Sequence, residues 1–120
     1  MKNQSINITN STVGDVNQVA ADTINNSFNK VTESAAPAEL KEHLTKLTEA
    51  VKEMVQRLPD AQQKQAAQDL KTLTDEALSP EPRRKWYELS AEGLIEAAKT
   101  VGEIAVPVIT AAKAVLAFLA

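Results

Sequence analysis

Residues 37–60 read PAELKEHLTKLTEAVKEMVQRLPD, and this stretch decides the fold class. Leu40, Leu44, Leu47, Val51, Met54 and Leu58 recur at spacings of four, three, four, three and four. That alternation is a heptad seam, a single apolar line along a helix. Pro37 suits a first helical turn, where its missing N–H costs nothing, and Pro59 forbids continuation beyond Leu58. Asp60 is placed to cap a second helix, from Ala61 to about Ala77, with Ala66, Leu70, Leu73 and Ala77 as its seam. So short a link between two amphipathic helices predicts an antiparallel helical hairpin over residues 37–78.

On the C-terminal side, Ser79-Pro80-Glu81-Pro82 breaks the pattern, and residues 79–90 read as a linker rich in proline, basic and aromatic residues. Ser90 reads as the N-cap of a final helix over residues 91–120, with Glu92 in the first turn where the helix dipole favours negative charge. Leu94, Ala98, Val101, Ala105, Val108, Ala112, Val115 and Leu119 form an unbroken heptad seam along it. Ile95, Gly102, Ile109 and Leu116 widen the apolar face, and the small residues allow close helix approach in water or in lipid. Pro107 is expected to bend this long apolar helix or to split it.

On the N-terminal side, the composition changes near residue 30. Asparagine stands at 3, 7, 10, 17, 25, 26 and 29 and nowhere later, and charge is sparse. Ile6-Asn7-Ile8-Thr9 alternates as a half-buried strand does. Val13, Val16, Val19, Ile24 and Phe28 follow, each isolated among turn-tolerant residues. Such a segment builds no core in one copy. Residues 1–30 are therefore expected to be β-like and to associate between chains, the alternative being a disordered polar leader.

Composition excludes several chemistries. The chain has 120 residues, enough for one small domain, and its net charge of -3 gives no bulk attraction for nucleic acid. It has no cysteine and one histidine, so disulfides, thiolate metal sites and histidine dyads are out. Glycine stands only at 14, 93 and 102, so no phosphate-cradling loop can be written. His43, beside the seam residue Leu44, reads as a solvated helix residue. The carboxylates of Glu39, Glu42, Glu49, Glu53, Asp75 and Glu76 fall where a solvated helix face puts them, and no substrate cleft is implied. No enzyme activity, metal or cofactor is expected. The polar Met1–Thr12 stretch lacks an apolar signal region, so cytoplasmic residence is expected.

Arg83, Arg84, Lys85, Trp86 and Tyr87 allow three readings. The rings and cations can sit at a membrane headgroup layer, or contact nucleic acid, the weakest option in an acidic chain. Alternatively the rings close one end of a bundle while the charges face water. The C-terminal helix divides similarly. Residues 104–120 carry one charge, Lys113, and at ~1.5 Å per residue span roughly 25 Å, short of a ~30 Å hydrocarbon core. A bundle explains the heptad without snorkelling of Glu96 and Glu103, so it is preferred over membrane insertion.

Two stretches carry a resemblance. Ser11-Thr12-Val13-Gly14-Asp15-Val16-Asn17-Gln18-Val19-Ala20 with Asn26-Ser27-Phe28 is one. Lys85-Trp86-Tyr87-Glu88-Leu89-Ser90-Ala91-Glu92-Gly93-Leu94 with Val101-Gly102-Glu103-Ile104 and Pro107-Val108 is the other. Together they resemble small bacterial modules of conflict and antiphage systems, with a β-forming N-terminal motif and a helical region. The resemblance implies assembly, or an effector role beside NTPases or peptidases. It supplies no catalytic residue.

The sequence thus predicts a mainly α chain that assembles with copies of itself through its N-terminal segment and C-terminal seam. The alternatives are a membrane-permeabilising effector using residues 93–120, associated with the membrane on activation, and an adaptor that binds a larger defence-system protein through the hairpin.

Overall fold

A computed structural model describes residues 12–120, with side chains from Val19 onward. Five α-helices follow in order: α1 Thr12–Glu33, α2 Ala38–Val55, α3 Asp60–Ala77, α4 Arg84–Val101 and α5 Val106–Leu119. A 3₁₀ turn, Glu103–Ala105, joins the last two. The mainly helical reading holds, and no strand occurs among the described residues.

The hairpin sequence forms the two helices read from it. Leu40, Leu44, Leu47, Val51 and Met54 of α2 are buried, as are Ala66, Leu70, Leu73 and Ala77 of α3. The α2 helix stops at Val55, three residues early, because its last turn tightens. Arg57 and Leu58 donate backbone N–H bonds to Met54 and Val55 carbonyls, at 2.9 and 3.1 Å. Pro59 stands at the N-cap of α3, its carbonyl accepting from Gln63 N–H at 2.9 Å, and Asp60 lies in the first turn.

Residues 12–30 differ from expectation: they belong to α1, not to a β-like segment. The buried line of α1 runs Ala20, Ile24, Ser27, Val31, a heptad spacing half made of small residues. Val19 and Phe28, which the β reading placed in a core, are 45% and 38% exposed. Val13 and Val16 lie within the helix, and the strand expected at Ile6 and Ile8 lies outside the described residues. Two lysines anchor α1. Lys30 pairs with Asp75 of α3 at 2.6 Å, and Lys41 of α2 donates to the Thr32 and Ser34 carbonyls at 3.3 and 3.1 Å, satisfying the helix end.

The long C-terminal helix is also corrected. It is two helices, and the break falls at Gly102, not at Pro107. Gly102 has φ 102° and ψ -150°, a conformation that only glycine adopts readily, and its N–H closes α4 on the Ala98 carbonyl at 3.1 Å. Pro107 sits in the first turn of α5, where it costs nothing. Ser90 is not the N-cap either: α4 begins at Arg84, so the linker ends seven residues sooner than expected. Ser90 lies inside α4 and donates its hydroxyl to the Trp86 carbonyl at 2.6 Å.

The helices close a ring: α1 packs on α3, α3 on α4, α4 on α5, α5 on α2, and α2 back on α1. Consecutive α2 and α3 touch, yet each packs more on other helices than on its hairpin partner. His43 near the start of α2 meets Phe118 near the end of α5, so these two run antiparallel. Tyr87 Oη, in the first turn of α4, lies 3.5 Å from the Leu119 carbonyl, so α4 and α5 are antiparallel too.

Candidate functional site

The ring consumes most of the expected association surface. Leu94, Ala98, Ala105, Val108, Ala112 and Val115 are buried in the chain's own core, while Val101 and Leu119 are half-buried. The seam is real, but its partners lie on the same chain. Besides Val19 and Phe28 on α1, uncovered apolar surface lies in two places.

The first is the start of α4. Adjacent helical residues point about 100° apart, so Trp86 and Tyr87 have different fates. Tyr87 is buried at one end of the bundle, whereas Trp86 is 45% exposed. Leu89, one turn on and missed in the sequence, is 53% exposed and extends the same face. Arg83 and Lys85 flank the indole, with the guanidinium carbon 5.8 Å and the ammonium 5.9 Å from the ring centroid.

Two of the three cations here are already occupied. The buried Glu76 carboxylate at the end of α3 accepts the Arg83 backbone N–H at 2.9 Å and its Nε at 3.0 Å, and also pairs with Nη2. These bonds from Arg83 hold the Glu76 carboxyl below its ordinary value and raise the guanidinium's. They also supply the negative charge that starts α4. Arg84 pairs with Glu88 at 2.8 Å. Lys85 alone of the three has no ion pair among the described residues. The two carboxylates offset two of the three positive charges in the cluster.

The second place is an open groove of about 780 Å³ between α2 and α5. Its floor is Ala50, Ala111 and Ala114, and Val106 and Pro107 form one end. Small side chains leave the depression, since they fill less of the space between the two helices. His43 marks the other end, half-buried and edge-on to Phe118 with centroids 6.5 Å apart, rather than fully solvated. Along the α2 rim Lys46 pairs with Glu42 at 3.5 Å. Glu49 and Glu53, four residues apart on the same rim, have no ion-pair partner among the described residues. Exposed Ile104 and Val106 continue the apolar surface past the groove. The alanines at 50, 111 and 114 were the available sequence signal, hidden because alanine also serves as core.

Among the described residues no group of three or more His, Asp and Glu is placed to hold a metal ion. No helix among them is long and apolar enough to cross a membrane. Compared with known proteins, the chain matches no family model, no curated protein and no solved structure.

Proposed function

We propose that this chain is a non-enzymatic assembly module that associates with copies of itself. One observation supports the reading above the rest: Trp86 and Leu89 stand exposed on a well-packed helix whose neighbours leave them uncovered. Tryptophan flanked by arginine is the composition of an association hot spot, not of an idle solvated face. The likeness to bacterial conflict-system modules supports a role in defence, and that role rests on the likeness alone. Ile6 and Ile8 are kept as a second self-association element.

Light scattering on the full chain over a rising concentration series tests the reading. The expected result is a mass that climbs above 13.0 kDa. A mass fixed at the monomer throughout refutes it. Deleting residues 1–11 tests Ile6 and Ile8 without cutting into α1, which the bundle needs.

A further inference from the structure

We infer that the exposed ridge of α4 in one copy seats in the α2–α5 groove of another copy. This placement rests on the assembly reading above and adds the two surfaces that meet.

Shape is the first support. Trp86 and Leu89 form a raised apolar ridge one turn long, and the groove is an apolar depression of about 780 Å³ with an alanine floor. Ridges on one helix fit the grooves between others, and this groove is wide enough to admit an indole with a leucine beside it. Charge is the second. Among the described residues, Lys85 beside the indole has no carboxylate partner, and Glu49 and Glu53 on the rim have no cation. Like charges four residues apart on a helix repel, so the pair gains from a cation brought by a neighbour.

Position is the third. The ridge lies at the end of the bundle where Tyr87 meets Leu119, at the last turn of α5. Val106 and Glu53 lie at the opposite end of α5, about 20 Å away at ~1.5 Å per residue. Trp86 and Leu89 stand exposed, so a chain does not fill its own groove with its own ridge. A two-fold pair would seat both ridges in both grooves at once, whereas a head-to-tail contact would grow into a ring or a filament, and the mass reached by the unaltered chain separates the two.

The test is sedimentation velocity on the full chain and on variants whose helicity is checked by circular dichroism. Trp86→Ala removes the ridge, and Thr110→Arg, at an exposed position on the groove wall, blocks the groove. Each alone is expected to weaken association ~30-fold or more, as loss of a hot-spot residue does. Mixed together, the two variants retain one intact ridge and one intact groove. They are expected to form a 1:1 pair and nothing larger. Lys85→Glu is expected to weaken association, and adding Glu49→Lys and Glu53→Lys in the same chain to recover it. If the unaltered chain associates while both single variants associate equally well, the ridge-in-groove placement is wrong and the assembly reading stands. If the unaltered chain stays monomeric, the assembly reading fails and takes the placement with it.

Discussion

The contact between Gly93 and Asp69 gives a sharp test of how α3 and α4 are packed. Gly93 lies in the middle of α4, where glycine costs ~1 kcal/mol relative to alanine. The reason it is there is visible on α3. A Cβ at Gly93 would run into the Asp69 carboxylate, whose Cγ would lie 3.0 Å away. Burial against α4 pushes the Asp69 carboxyl up, outweighing the lowering effect of the hydrogen bond from Gln65 at 3.1 Å. Gly93→Ala therefore gains ~1 kcal/mol of helix propensity and must displace Asp69. Displacing it sacrifices the Gln65 bond and crowds the helices, roughly 1–2 kcal/mol.

The single change is expected to be neutral to mildly destabilising. In an Asp69→Ala background the obstacle is gone, and the same change should stabilise by about 1 kcal/mol. The double-mutant cycle, measured by urea unfolding, should thus return a coupling of about 1–2 kcal/mol. A pH series adds a sign. A raised carboxyl binds its proton more tightly in the folded chain, so stability falls as pH rises from the unfolded to the folded value. Asp69→Asn should therefore gain on the unaltered chain as pH rises through that window. If Gly93→Ala has the same effect in both backgrounds, the close approach of α3 and α4 at this point is refuted.

Three further outcomes follow from the fold. Glu76→Gln should lower the thermal midpoint at neutral pH. Because the folded Glu76 value is lowered, its contribution is present above the ordinary carboxylate value and lost as pH falls through the folded one, so the gap should close in acid melts. Gly102→Ala meets no neighbouring atom yet should cost ~1–3 kcal/mol in chemical denaturation, because alanine is strained at φ 102°. Ala112→Leu, at a fully buried position, should cost ~1–3 kcal/mol by overpacking the core of the single chain, with the loss the same at every protein concentration.

The α2 helix was the most legible element because large aliphatics fill its seam, while α3 was read from Leu70 and Leu73 and from the Pro59 break before it. Leu40, Leu44, Leu47, Val51 and Met54 announce α2 because each core position holds a residue that is apolar and big. The α1 helix uses the same spacing but fills it with Ala20 and Ser27 between Ile24 and Val31, so its larger apolar residues appear scattered. The break at Gly102 was obscured by Pro107, the more conspicuous helix breaker. Proline stops a helix only from its interior, and whether position 107 is interior depends on a backbone angle five residues earlier. The α4 start was hidden for a related reason. Its anchor is the carboxylate of Glu76, seven residues back on another helix, rather than a capping residue next to it.

A heptad seam states that a helix needs an apolar partner, but not whether that partner lies on the same chain. Here the turn at Gly102 folds α5 back along α4, and the seam from Leu94 to Val115 is satisfied within one chain. The proposed association therefore depends on the smaller surface left over. Burying a side chain such as Trp86 or Leu89 contributes ~1.5–3 kcal/mol each, and an exposed Lys–Glu contact adds ~0.2–1 kcal/mol. Against these stands an association cost of at least ~4 kcal/mol in lost freedom. The remainder is small, so one ridge in one groove gives a weak contact that forms appreciably only when chains are concentrated or held together. Growth by weak contacts makes assembly steeply dependent on local concentration. On the proposed assembly, such a module stays dispersed until something gathers it.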